Sequence, residues 1–426
     1  MPFELTYYGK DTVSGDWFKD DFLSAKMKAF ENIINDPSYG FFHVTKDDSL
    51  LKSCEDVYSR FREKSTFVQV GIGGSSLGPE MLHTALGKSD REFIFLNNID
   101  PDMTWKQLAG IDLDSTLFYF VSKSGGTAET MSGLAIIAHM LEEKNIPKEK
   151  WCDYMIFATD PQNSQLLELG KELNITCLSI PTNVGGRFSV LTPVGYLPAL
   201  FDEIDAKNLV RGAELIKEDL LSTKLDENIL LQSSSFIYGL YKERNISQTV
   251  FMPYSSLMRD LSFWFVQLWA ESLGKKVNLN GEVVNTGLTP IPAYGATDQH
   301  SQVQLFMEGP YDKLAMVVEI DSFDHDFSLN NSFEQKALKR LAPFNLGQLM
   351  KAEHQGTLKA FEQNSRPFLN IKISRCDEIN IGGLIMYLES LTALMGHYLD
   401  INPFDQPGVE AGKKFAFEWL DGANQG

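Results

Sequence analysis

The sequence predicts an α/β protein of two doubly wound parallel-sheet domains followed by a C-terminal helical tail. Three observations predict it. At 426 residues the chain is too long for one compact core. Short β-branched and aromatic runs alternate with longer helical stretches, and each run ends in a glycine or polar turn, the pattern of parallel sheets. The same pattern restarts after a helical zone around 205–245.

Residues 1–45 read as an N-terminal helical segment. Phe22, Met27, Phe30, Ile33 and Ile34 recur at helical spacing there, ahead of a Pro-Ser-Tyr-Gly break. The first α/β domain covers 46–215. Its strands are expected at 66–70, before a glycine turn, and at 93–96, before Asn97-Asn98. Two more are expected at 116–121, before a Ser/Gly turn, and at 155–158, before Asp160-Pro161. The second domain covers 216–402, with strands at 249–252, 315–320 and 368–373 and helices between them. Residues 403–426 form the tail.

Composition narrows the function. A hydrophobic content of 43% and a charged content of 22% are ordinary for a soluble globular protein. A net charge of −19 argues against nucleic acid and anionic membrane as partners, since both demand basic patches. Any anionic substrate therefore needs local donors working against the overall field. Cys54, Cys152, Cys177 and Cys376 are far apart, so neither a zinc site nor a disulfide framework is expected, and a reducing cytoplasm is. The N-terminus has no secretory pattern, and no apolar stretch is read as approaching the ~20 residues of a membrane span.

The chemistry-bearing motifs begin at Gly71-Ile72-Gly73-Gly74-Ser75-Ser76, which follows a strand. Serine at 76 replaces the third glycine of a dinucleotide fingerprint, and Gly87-Lys88-Ser89 has Leu82 where a P-loop needs glycine. Phosphate binding and a plain tight turn weigh equally here. The turn Ser122-Lys123-Ser124-Gly125-Gly126-Thr127 is stronger. It offers three hydroxyls at a strand-to-helix junction whose free N–H groups favour anions, whereas capping the helix needs only one.

Arg187, after two glycines, either braces a loop through carbonyls or stabilises an anion. Glu271 lies in the last turn of a nearly all-round apolar helix ended by Gly274. Dipole and burial there disfavour the ionised form, as a proton shuttle requires, and pairing with Lys275 or Lys276 would oppose this. His300 ends a polar loop after Pro290-Ile291-Pro292. Asp324-His325-Asp326 reads as a solvated loop, because adjacent residues rarely ligate one ion together. In Asp405-Gln406-Pro407-Gly408-Val409-Glu410-Ala411-Gly412-Lys413, Pro407 suits a first helical position. Residues 406, 410 and 413 then share a face, although Glu410 with Lys413 is also an ordinary surface pair.

Gly-Gly-Arg-Phe-Ser at 185–189 and Phe-Asp-Gln-Pro-Gly-Val-Glu at 404–410, with the Ser/Thr turn upstream, resemble the glucose-6-phosphate isomerase (phosphoglucose isomerase) family. The matched motifs run from Gly71 to Lys413. The resemblance implies two sugar-isomerase-type domains and a metal-free, cofactor-free interconversion of glucose 6-phosphate and fructose 6-phosphate through a cis-enediol. It assigns the phosphate to Ser75, Ser122, the Lys123 backbone, Ser124 and Thr127, with serine at 124 where many members carry threonine. It makes Glu271 the base, Arg187 the stabiliser of the enediol charge and Gln406 a positioning group. His300 assisted by Lys413 opens the ring, and a homodimer shares each site, the histidine reaching the neighbouring subunit. Two alternatives stay open: an isomerase that also takes mannose 6-phosphate, and a non-catalytic sugar-phosphate sensor.

Overall fold

The computed structural model describes residues 3–423. In chain order the strands are β1 (Phe3–Tyr8), β2 (Thr66–Val70), β3 (Glu92–Leu96), β4 (Thr116–Val121), β5 (Met155–Thr159) and β6 (Thr176–Ser179). They continue as β7 (Gln248–Pro253), β8 (Lys275–Val277), β9 (Val283–Thr286), β10 (Thr289–Pro292), β11 (Lys313–Ile320) and β12 (Phe368–Ile373). The first sheet has the order β3-β2-β4-β5-β6 and is parallel throughout. The second has the order β1-β12-β11-β7-β10 and is parallel except for β1. β8 and β9 pair as a separate hairpin.

Burial explains the strand sequences. Every residue of β4 (TLFYFV) and of β5 is buried. A strand covered on both faces needs no polar alternation, so it reads as a continuous apolar run. The strand order reverses between β2 and β4 in the first sheet, and between β7 and β11 in the second. The turns after those strands open into the crevice at the carboxyl ends, where α/β sheets hold ligands.

The seven expected strands all form, each within two residues of its expected ends. The N-terminal helix forms at Asp20–Asn35 and buries Leu23, Met27, Phe30 and Ile34. The N-terminal segment is not helical throughout, however. Its first residues are β1, paired antiparallel from Phe3–Ile373 to Tyr8–Phe368, so this segment supplies an edge of the second sheet. Residues 289–292, assigned to no strand by the sequence, form β10 at the other edge, where Pro290 and Pro292 are tolerated because an edge strand needs fewer N–H donors.

The 205–245 zone is two helices, Ala206–Leu220 and Ile229–Arg244. Contrary to expectation, one stretch does reach membrane-spanning length and composition, the 21-residue helix Glu378–Tyr398. It is instead a core helix. Leu384, Tyr387, Leu391 and Leu394 are fully buried, and Gly382 packs so closely that a Cβ there would lie 2.0 Å from the Leu209 carbonyl oxygen.

Glu243, near the end of the Ile229–Arg244 helix, anchors the N-terminal segment. Its carboxylate accepts from Ser14 N at 2.8 Å, Gly15 N at 2.8 Å, Ser14 Oγ at 2.9 Å and Trp17 Nε1. Desolvation favours the neutral carboxyl, but these donors outweigh it and pull the group from 4.5 down to about 2. The folded value lies below the unfolded one. The stabilisation is therefore complete above the unfolded value and lost as pH falls toward about 2. Glu243→Gln is expected to flatten the acid limb of stability against pH across that window. Urea midpoints check this, and a limb parallel to wild type would contradict it.

Candidate functional site

Arg187 is the hub. It sits in the short turn Gly186–Phe188, after β6, and is only 3% exposed. Its Nε donates to Ser272 Oγ at 2.7 Å, and its Nη1 donates to Gln406 Oε1 at 3.2 Å. Its Nη2 donates to the Pro403 and Asp405 carbonyls, at 2.5 and 3.1 Å. Burial pulls the guanidinium below its ordinary value, and the nearby Glu271 and Asp405 carboxylates oppose that. Arg187 braces the 403–406 segment through carbonyls, as one of its two sequence readings has it, and its Nη1 also faces a carboxylate.

That carboxylate is Glu271. The expected helix forms at Arg259–Leu273, after a 3-10 turn at Ser256–Met258, and Gly274 closes it by donating to the Ala270 carbonyl. Glu271 Oε1 lies 3.6 Å from Arg187 Nη1, and its side chain is 24% exposed. The region is not apolar and buried all round, since Leu257 in the preceding turn and Phe263 on the helix are about half exposed. Lys275 does not pair with the carboxylate. Its ammonium donates to the main-chain oxygens of Glu271, at 2.7 Å, and of Asp405, at 2.8 Å. Arg187 and Lys275 thus clamp the 403–406 segment onto the end of the Glu271 helix, while Phe404 stacks on Tyr39 at 3.8 Å.

Sequence reasoning missed Gln267, one turn before Glu271. Its Nε2 donates to Glu271 Oε2 at 3.1 Å, while its buried Oε1 has no protein partner among the described residues. The i, i+4 spacing was the available signal. The glycine run after β2 also gains a reason. Gly73 has φ +60°, and a Cβ there would lie 2.9 Å from Gln267 Nε2. A Cβ on Gly74 would lie 2.3 Å from the Gly186 carbonyl. The run lets the Ser75 turn press against both the Arg187 loop and the Glu271 helix.

The second turn lies beside the first, because β2 and β4 are parallel neighbours. Ser122 is 2% exposed; its Oγ accepts from Gly125 N at 3.1 Å and lies 2.8 Å from Thr127 Oγ1. Ser124 is exposed, 3.5 Å from Thr127 Oγ1. Thr127 precedes the helix Ala128–Glu143 yet, among the described residues, makes no side-chain cap to it. The hydroxyls therefore face one another rather than the helix, whose first N–H groups keep their capacity for an anion. The Lys123 ammonium is committed to the Thr182 and Val184 carbonyls, at 2.8 and 2.9 Å, which ties this turn to the Arg187 loop.

Two expected residues stand apart from this group. Pro407–Val409 is a 3-10 turn that continues into the helix Glu410–Ala423, as the proline implies. Lys413, however, is exposed on that helix and pairs with Glu410 at 2.9 Å. Phe415, Phe417, Trp419 and Leu420 on the same helix are half or more exposed. A cleft of about 1210 Å³ separates it from the helices Pro101–Leu108 and Ala128–Glu143 and reaches Gly126 and Glu129. His300 is exposed at the end of the turn Thr297–His300, which follows β10. Asp324, His325 and Asp326 lie exposed; Asp324 pairs with Arg375, and Asp326 Oδ1 accepts from Phe327 N at 2.8 Å and Gly347 N at 3.0 Å.

Comparison with known proteins gives one answer. The family model for phosphoglucose isomerase matches residues 49–425. A glucose-6-phosphate isomerase of Carboxydothermus hydrogenoformans is 38% identical over 419 residues, which is 95% of this chain and 89% of that protein. One from Thermus thermophilus is 36% identical, covering 90% of each chain. Among solved structures, a hypothetical protein, also from Thermus thermophilus, superimposes with a TM-score of 0.90 at 33% identity, over 98% of this chain and 100% of that one. A glucose-6-phosphate isomerase from Chlamydia trachomatis shares the fold, with a TM-score of 0.83 at 22% identity over 100% of this chain and 89% of that one.

Proposed function

This chain belongs to the phosphoglucose isomerase family, and from that premise we propose how its residues divide the reaction. The reaction is the interconversion of glucose 6-phosphate and fructose 6-phosphate, an aldose–ketose isomerisation. The observation that carries the residue assignment is the contact between Glu271 and the buried Arg187 guanidinium, closed on either side by Gln267 and Gln406.

The substrate phosphate docks on Ser75, the Lys123 main chain, Ser124 and Thr127, with Ser122 bracing the turn from beneath. Binding there is remote from the reacting carbons, so its energy serves to hold them in place. His300 and Lys413 move protons to and from the ring oxygen and O1, opening the ring. Glu271 then takes the C2 proton of the open-chain aldose. The released electron pair forms the C1–C2 double bond, and negative charge grows on O1 within reach of Arg187. The O2 proton passes to O1, a carbonyl forms at C2 as the C1–C2 electron pair moves to C1, and Glu271 returns its proton there. Gln406 positions the sugar, and the Oε1 of Gln267, without a partner among the described residues, accepts from a sugar hydroxyl.

The outward exposure of His300 and Lys413 supports a homodimer in which each site is completed by the neighbouring subunit's histidine. The four free thiols accord with a reducing cytoplasm. No step in this scheme calls on a metal or cofactor. Conversion of fructose 6-phosphate by the purified chain, coupled to glucose-6-phosphate oxidation and run in EDTA, tests the reading. Turnover is expected, and a protein that binds sugar phosphate without turning it over would be a sensor instead.

A narrower expectation concerns the phosphate. Ser124→Ala removes an exposed hydroxyl that does little for the fold, so KM for fructose 6-phosphate should rise about tenfold, the equivalent of one hydrogen bond. Inhibition by inorganic phosphate should weaken in parallel. An unchanged KM would remove Ser124 from the site.

A further inference from the structure

We propose that Gln299 is a positioning residue for ring opening: its carboxamide, pinned from inside the protein, fixes the turn from which His300 projects. This rests on the assignment of ring opening to His300 made above.

Gln299 Nε2 lies 2.7 Å from Tyr254 Oη, 2.5 Å from Thr357 Oγ1 and 3.1 Å from the Glu353 carbonyl oxygen. A carbonyl can only accept, so the amide nitrogen, not the oxygen, has to face Glu353. The anchor is itself closely packed. Tyr254 is 1% exposed and meets His354 edge-on at 4.8 Å. Its ring also abuts Gly295, where a Cβ would lie 2.5 Å from Cδ1.

The rest of the turn is tied inward as well. Asp298 accepts from Tyr294 N at 2.8 Å and from the Ser301 hydroxyl, and Gln302 Nε2 donates to the Pro292 carbonyl at 3.0 Å. The side chains of Asp298, Gln299, Ser301 and Gln302, on either side of His300, are thus hydrogen-bonded within the chain. The imidazole is exposed and makes no hydrogen bond among the described residues. Gln299 and His300 are consecutive in one 3-10 turn, so the inward anchor of the first sets the outward direction of the second. A shift of about 1 Å in a proton-transfer group can cost on the order of a hundredfold in rate.

Gln299→Glu tests this, because it preserves size while replacing the N–H donor with an oxygen facing the Glu353 carbonyl. On fructose 6-phosphate, kcat is expected to fall tenfold to roughly a hundredfold while KM stays within about twofold. On 5-deoxyfructose 6-phosphate, which cannot close its ring, ketose-to-aldose conversion followed by NMR should stay within about twofold of wild type. His300→Ala should separate the two substrates in the same way. Thr357→Val, which removes one acceptor without adding charge, should produce the same split at smaller amplitude and serves if Gln299→Glu does not fold.

If His300→Ala leaves fructose 6-phosphate turnover intact, the ring-opening assignment fails and the positioning role falls with it. If His300→Ala separates the substrates but Gln299→Glu and Thr357→Val do not, the assignment stands and the positioning role is overturned. Equal loss on both substrates in the folded variants would mark a general structural role and overturn it as well.

Discussion

Glu271→Gln is expected to lower kcat for fructose 6-phosphate by about three orders of magnitude, the scale of a lost general base. The substitution keeps the side chain's shape and its contact with Gln267, so binding of substrate and of inorganic phosphate should persist. It removes the negative charge 3.6 Å from Arg187 Nη1. An uncompensated guanidinium there should hold anions somewhat more tightly, so KM should stay level or fall while kcat collapses. Steady-state kinetics of both proteins in EDTA measure this. A variant retaining a tenth of wild-type kcat or more would mean another group moves the proton.

Arg187→Lys should be nearly as damaging, and on two counts. An ammonium cannot reproduce a planar fork that reaches Ser272, Gln406 and the carbonyls of Pro403 and Asp405 together. Catalysis loses a fixed donor set aimed at the growing oxyanion, worth roughly a hundredfold to a thousandfold in kcat. Stability suffers too, because buried carbonyls left without donors cost about 1–3 kcal/mol each. Kinetics together with urea unfolding separate the two effects. A variant that unfolds earlier yet keeps its kcat would leave Arg187 as a loop brace only.

The parts of the fold legible in the sequence were those with strong local signals. The continuous apolar run of β4 and the Ala128–Glu143 helix needed only pattern and turn chemistry. β1 was hidden because its six residues, of which only Phe3 is fully buried, acquire their meaning from a partner strand 360 or more residues away. β10 was hidden by Pro290 and Pro292, whose exclusion from strands holds for central positions and not for the edge they occupy. The helix Glu378–Tyr398 does not read as a long apolar span because Glu389 interrupts it, and folding buries that residue.

The site was legible wherever one residue type forces its chemistry: an arginine among glycines, a carboxylate ending an apolar helix, hydroxyls at a helix start. What the sequence lacked was direction. Lys275 was weighed as a partner for the Glu271 carboxylate, yet it reaches main-chain oxygens. Ser122 counts as one of three hydroxyls, and the sequence does not show that its Oγ also accepts from Gly125 N and meets Thr127 Oγ1 inside the turn. Gln267 carried no mark beyond its spacing from Glu271. His300 is joined to the others by family pattern alone, and Lys413 by that pattern and its helical spacing from Gln406; within one chain both are exposed.

The central claim is that Glu271 carries a proton between C2 and C1. Isomerisation of glucose 6-phosphate labelled with deuterium at C2, run in ordinary water with wild type and Glu271→Gln, tests it most directly. A proton held on a carboxylate can exchange before it is returned, so wild type should release part of the label to water, and the variant should neither isomerise nor release it. Complete transfer of the label to C1 by wild type would indicate a hydride shift, and undiminished release by Glu271→Gln would place the base elsewhere; either result contradicts the claim.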